Sequence, residues 1–218
     1  MDSLFRDFPI IFIYLDDMLI FSCSRSEHLR HLDTVLAVLA ENGLHINPAK
    51  CQFAQPEVDF LGHHVTASGL SPIASHTQPM LEFPTPSDVK MLQKFLGMLN
   101  FYRCFLPGIA RVLKPLTDAT SGKGKLLWTS EMQTAFDHAK ALLASATPLH
   151  HPHPQATLSL ATDASDTHVG AVLQQKTGGC WQPLAFFSHK LSPTEGRFST
   201  FDRELLAAFQ AVKHFRIF

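Results

Sequence analysis

Cysteine is sparse. The four residues at positions 23, 51, 104 and 180 are far apart, and no pair has the close spacing of a zinc site or a redox motif. That excludes a disulfide-framed secreted scaffold and points to free thiols in a reducing compartment. Long apolar runs are also lacking: none reaches the roughly 18 residues that a membrane span needs. The opening "MDSLFRDFPI" has no basic n-region and does not read as a secretory signal. The expectation is an intracellular protein, cytoplasmic or nuclear, neither secreted nor membrane-bound. Nor is there an excess of charge: the net charge is −1, which by itself argues for no partner. Its distribution says more. Residues 1–70 hold 4 basic and 9 acidic side chains, residues 71–150 hold 8 and 5, and residues 151–218 hold 6 and 5. An acidic segment followed by a basic one suits a metal site beside a nucleic-acid track, and it also falls within ordinary scatter.

What is present is a chain of 218 residues, 45% hydrophobic, with room for one large or two small domains. Residues 10–22 read as a hairpin in which "IIFIY" and "MLIFS" are strands and "LDD" is the turn. A helix follows, with Ser24 and Glu27 as a capping box and Leu29, Leu32, Leu36 and Leu39 at helical spacing. "VDFLGHHVTASG" reads as strand then turn. Prolines at 72, 79, 84 and 86 mark a boundary or stiff connector. Helices are expected from Ser87 toward Pro107 and over "SEMQTAFDHAKALLA", with a loop at Gly122 and Gly124. "TPLHHPHPQA" reads as a flexible linker rather than a metal site. After it, "TLSLATDAS", "GAVLQQK" and "WQPLAFFSHKL" read as strands of an antiparallel meander, and "STFDRELLAAFQAVKHF" begins a helix.

Two adjacent carboxylates, Asp16 and Asp17, interrupt the apolar "FIYLDDMLIF". Side by side they repel, and burial would raise that cost. A tight turn between hydrophobic strands would put both at an exposed tip. There they are either a solvated turn or oxygen ligands for a hard divalent cation. Two such ions about 3.5–4 Å apart can clamp an in-line phosphoryl displacement.

"YLDD" between apolar strands resembles the catalytic hairpin of reverse transcriptases. "NPAKCQF", "DFLGH", "FLGMLNFYRCFLP", "PLT", Trp128, "TDAS", "GAVLQQ" and "FSTFDRELLA" follow in order. Together they resemble the pol polyprotein of gypsy-type LTR retrotransposons across nearly the whole chain. The resemblance implies an α+β chain in three pieces. Residues 1–70 would be the C-terminal part of the palm. Residues 71–150 would be the helical thumb and connection. Residues 155–218 would be the N-terminal half of an RNase H-like α/β domain. It implies RNA-directed DNA polymerisation with RNase H cleavage, two Mg²⁺ per site, and a primed template or RNA–DNA hybrid as partner. By the same resemblance Asp16 and Asp17 are the paired catalytic aspartates, and Tyr14 packs near the primer terminus. Leu61, Gly62 and His63 lie in the primer-grip turn, and Asp163 and Glu204 are the first two RNase H carboxylates. Cys104 stands where the family usually has a basic residue, which would weaken backbone contact with the template–primer.

Glu204 also stands out on a helical wheel. Phe201, Leu205, Ala208, Phe209, Val212 and Phe215 form one apolar stripe, taken as the inward face, with Glu204 at its edge. Asp202, Arg203, Lys213 and His214 take the other side. A carboxylate on an inward flank needs a partner, or it snorkels to water. Phe101, Tyr102 and Phe105 read as helix core, and His63 and His64 as strand residues facing opposite ways. The third polymerase carboxylate and the later RNase H carboxylates are not among these residues. The expectation is therefore a piece of a pol gene with both sites incomplete, or a non-catalytic remnant that at most binds nucleic acid weakly.

Overall fold

The computed structural model describes residues 2–120 and 125–216; the loop expected at Gly122 and Gly124 lies outside the described residues. The chain is α+β and forms two compact units, residues 1–60 and 61–218, each described by itself.

The first unit is a hairpin on a helix. α1 (Asp2–Phe5) leads into β1 (Ile11–Tyr14), which pairs antiparallel with β2 (Asp17–Ile20). Ile11 stands opposite Ile20, Ile13 opposite Met18 and Tyr14 opposite Asp17. Alternation puts Ile11, Ile13, Met18 and Ile20 on one face, where they pack with Phe5, Val35 and Leu39. The last two belong to α2 (Arg25–Glu41). Its start follows the capping-box expectation. The Ser24 hydroxyl accepts the Glu27 N–H at 3.3 Å, and the Glu27 carboxylate accepts the Cys23 N–H at 3.1 Å. The leucine stripe is corrected: Leu29 and Leu36 are exposed, and Val35 and Leu39, four apart, are the pair that faces the hairpin. A 3₁₀ turn at Pro48–Lys50 and β3 (Glu57–Phe60) complete the unit.

The second unit opens with the antiparallel pair β4 (His63–Thr66) and β5 (Gly69–Pro72). The proline-rich stretch read as a connector contains a helix instead, α3 (Ala74–Leu81), which runs through Pro79. The ring costs one intrahelical hydrogen bond, and the burial of Thr77 and Met80 offsets it. α4 (Val89–Phe101) is capped by Asp88, whose carboxylate accepts the Met91 N–H at 2.8 Å. Its Leu92, Phe95 and Leu99 are fully buried. They share a core with α5 (Ile109–Val112), α6 (Lys114–Thr120) and α7 (Ser130–Ala144), where Phe95 and Phe136 lie 4.6 Å apart between ring centroids. Then come β6 (Thr157–Ala164), β7 (His168–Thr177) and β8 (Cys180–Lys190), the expected meander in the order β6-β7-β8. Gly178 and Gly179, at φ 59° and 84°, make the tight turn between the last two strands. α8 (Thr200–Phe215) packs on β6 and β7.

The inward face of α8 is not the one its large residues suggest. Ala207, Ala211 and Phe215 are buried, while Phe201, Leu205, Phe209 and Val212 are all more than half exposed. Arg203, placed outward on the wheel, faces in, and His214, exposed as expected, still reaches Phe187 with its ring. The Arg203 guanidinium is bound by Asp166 and the Phe198 carbonyl, and the His214 ring stacks on Phe187 at 4.6 Å. Alanines let the helix axis approach the sheet, so close packing selects the small face over the bulky one.

The linker is corrected too, because residues 147–153 are fastened along their length. Leu149 exchanges backbone hydrogen bonds with Leu70 at 2.7 and 2.9 Å, and the His150 N–H donates to the Pro183 carbonyl at 3.0 Å. The buried Gln175 amide donates to the His151 carbonyl and accepts the His153 N–H, both at 2.9 Å. Within the same unit, the Ser188 hydroxyl accepts the Ala110 N–H at 3.1 Å, the Arg103 guanidinium donates to the Ser188 carbonyl, and Lys190 pairs with Asp118. The helices and the three-stranded sheet therefore pack as one body.

Candidate functional site

The paired aspartates sit where the hairpin reverses. The turn is only Leu15 and Asp16, because Asp17 already opens β2 opposite Tyr14; a three-residue turn was expected. Leu15 takes φ 54°, a conformation that costs a residue with a Cβ about 1–2 kcal/mol. Both carboxylates are exposed. Asp17 shares the outer face of the hairpin with Tyr14 and Phe12, opposite the Ile11–Ile13 core face, and the Phe12 ring meets Phe60 edge-on at 6.1 Å.

The second feature is the turn that leads into β4. Leu61 and Gly62 both take positive φ, 47° and 79°. A Cβ on Gly62 would lie 2.9 Å from Phe101 Cε1, so glycine is needed for both backbone and space. His63 lies against Phe101, Tyr102 and Phe105, with ring centroids 5.0, 6.1 and 5.5 Å away. Burial holds its imidazole below the ordinary range, and its hydrogen bond to the Leu61 carbonyl opposes that shift. Tyr102 and Phe105 are core residues as expected, but Phe101 is 52% exposed.

The third feature is on the sheet. Asp163 is exposed in the last turn-ward part of β6, paired with Gly170, and Glu204 is half-buried in the second turn of α8. Helix and strand pack together, and the Arg203–Asp166 pair at 2.7 Å ties the residue beside Glu204 to the loop just after β6. Glu204 thus keeps its place on the inward flank, beside Ala211 and Phe215 rather than the phenylalanine stripe.

Carboxylate oxygens are suitable donors for a hard divalent cation. Among the described residues, however, no three His, Cys, Asp or Glu side chains converge on one point. Asp16 and Asp17 are adjacent at one turn, and Asp163 and Glu204 lie on two elements that pack together, β6 and α8. Oxygen donors of this type suit a hard divalent cation such as Mg²⁺, and two carboxylates would leave coordination positions for other ligands. No helix of the described residues is long and apolar enough to cross a membrane. Spacing gave no signal for Tyr102, Gln175 or Ser188 as fixing residues, because each acts across a long sequence separation.

The hairpin with its paired aspartates, the helical bundle and the meander with its helix make an α+β chain whose structural neighbours are reverse transcriptases. Residues 1–65 match the family described as reverse transcriptase (RNA-dependent DNA polymerase), and residues 128–218 match the RNase H-like domain found in reverse transcriptase. By these matches residues 1–65 belong to the reverse-transcriptase family and residues 128–218 to the RNase H-like domain found with it. It is 36% identical over 204 residues to the Transposon Tf2-3 and Tf2-4 polyproteins of Schizosaccharomyces pombe. Those matches cover 93% of this chain and 15% of each polyprotein. It superposes on a foamy viral protease–reverse transcriptase in complex with an RNA/DNA hybrid with a TM-score of 0.85 and 27% identity, covering 98% of this chain and 29% of that one. For the same viral protein in complex with double-stranded DNA the TM-score is 0.83, at 28% identity over 97% of this chain and 44% of that one.

Proposed function

We propose that these residues serve RNA-directed DNA synthesis and RNase H cleavage in a gypsy-type retrotransposon polyprotein, with an RNA–DNA hybrid or primed template as ligand. The observation that carries this reading is the superposition over 98% of the chain on a reverse transcriptase in complex with an RNA/DNA hybrid. Asp16 and Asp17 are the polymerase carboxylates, with Tyr14 at the primer side of the hairpin. Leu61, Gly62 and His63 form the primer-positioning turn. Asp163 and Glu204 are the RNase H carboxylates. Mg²⁺ ions held by these pairs would supply charge neutralisation at phosphoryl oxygens. The residues' own part is to offer oxygen ligands, from the exposed Asp16, Asp17 and Asp163 and from Glu204, half-buried on α8. α4 adds an exposed row of Lys90, Gln93, Lys94 and Asn100, suited to phosphate and sugar contacts.

The test is binding of an RNA–DNA hybrid by the 218-residue polypeptide across a salt series. Affinity should fall as salt rises, with little dependence on sequence. Neutralising Lys90 and Lys94 should reduce the salt slope by about 1–2. With two carboxylates in each place, the same polypeptide should neither extend the primer nor cut the RNA. No binding at low salt or a salt-independent affinity would contradict the reading, whereas extension that is lost in Asp16→Ala would support the role of Asp16 and overturn only the expectation that two carboxylates are too few.

A further inference from the structure

The turn at Leu61–Gly62 is held from outside itself. Two successive positive-φ residues form an unfavourable backbone arrangement, and for Leu61 the cost is that of a side chain in the left-handed region. Such a turn persists only where its surroundings fix it, and here both of its carbonyls are taken. The Leu61 carbonyl lies 2.9 Å from His63 Nδ1; a carbonyl only accepts, so Nδ1 carries the proton. The Gly62 carbonyl accepts the Tyr102 hydroxyl at 3.2 Å, across forty residues of sequence. The Phe101 ring closes over the Gly62 Cα, and it packs edge-on against Tyr102 at 4.8 Å. Tyr102 itself is 3% exposed and belongs to the buried helical core with Leu99 and Phe105. Its hydroxyl is thus delivered to the turn by a rigid body. A tyrosine buried only for its ring would be equally served by phenylalanine; this one directs its polar atom to one backbone oxygen.

We propose that Tyr102 is a positioning residue. Through its hydroxyl on the Gly62 carbonyl it couples the end of α4 to the Leu61–His63 turn and sets where that turn meets a primer end. This rests on the reading of the turn as the primer-positioning element. Tyr102 touches no nucleic acid itself; it acts through Gly62.

The test uses the whole 218-residue chain and Tyr102→Phe, which keeps the buried ring, with Phe101→Ala as a second variant that uncovers Gly62. Hydrogen exchange of the protein alone is the first arm. In Tyr102→Phe the amides of residues 61–65 should exchange about 3- to 10-fold faster, the size of one lost net hydrogen bond, with α7 unchanged. In the second arm, 2-aminopurine at the recessed 3′ end of a primed template reports contact at the primer end. Tyr102→Phe and Phe101→Ala should each lose most of that signal, while Tyr102→Phe binds a blunt duplex within about twofold of wild type, since it leaves phosphate contacts in place. Unchanged exchange at residues 61–65 in Tyr102→Phe would overturn the proposal. So would a wild-type primer-end signal in both variants. A wild-type chain that binds no duplex would sink the functional reading instead, and the exchange arm would still decide whether Tyr102 holds the turn.

Discussion

Gly69 shows how much a missing side chain can fix. At φ 151°, a Cβ placed on it would fall 1.9 Å from the Leu149 carbonyl oxygen, because the Leu149 backbone crosses directly over it. Gly97, in the middle of α4, faces open space. Gly69→Ala should therefore cost about 2 kcal/mol or more, by forced displacement of the Leu70–Leu149 bridge. Gly97→Ala should stabilise by roughly 0.5–1 kcal/mol. Urea melts of the two variants check this, and equal effects would show that the crossing is not tight. Histidines give the pH dependence at the same scale. Burial holds His63, His168 and His214 below their ordinary value; Lys114 and Lys190 press further on His168, and Arg103 on His214. As pH falls, the unfolded chain therefore takes up these protons before the folded chain does. Stability from this source is complete above about pH 6.5 and is lost as pH falls through the depressed folded values. Denaturation midpoints from pH 7.5 to 5 should fall, and His168→Gln should flatten the slope. An unchanged slope in that variant would contradict the account at His168.

At the scale of elements, caps and turns were legible because their chemistry is local. Ser24, Asp88 and Thr129 each accept the N–H three residues on, as their positions before helical runs suggest. The Gly178–Gly179 turn and the meander were legible for the same reason. What was not legible depends on contacts between distant residues. Nothing in "HHPHP" announces that Gln175 will hold the strand of chain around it, and nothing in the proline spacing announces α3. The α8 face is the sharpest instance. Hydrophobicity alone picks Phe201, Leu205, Phe209 and Val212, but the sheet accepts Ala207 and Ala211. Ala211→Leu should cost about 1–3 kcal/mol by overpacking, whereas Phe209→Glu should stay within about 0.5 kcal/mol of wild type. Thermal melts of both variants decide it, and the reverse order would restore the bulky face as the inner one.

At the scale of the whole molecule, family membership was legible from the order of short motifs, and the similarity to known proteins extends over most of the chain. The chain spans about 15% of the transposon polyproteins it matches. The candidate site was legible as residue types and their order. Its geometry was not, since the placing of Glu204 on α8 beside β6 depends on the alanine face and on Arg203 reaching Asp166. We propose that divalent ions meet a nucleic acid at Asp16 and Asp17 and at Asp163 and Glu204. The direct measurement is paramagnetic broadening by Mn²⁺ in an isotope-labelled 218-residue chain, with and without an RNA–DNA hybrid. Broadening should centre on residues 14–18 and on residues near 163 and 204. It should strengthen when the hybrid supplies further oxygen ligands, and vanish from the hairpin in Asp16→Asn with Asp17→Asn. Broadening centred instead on His150, His151 and His153, or signals at the hairpin that survive those substitutions, would contradict the account.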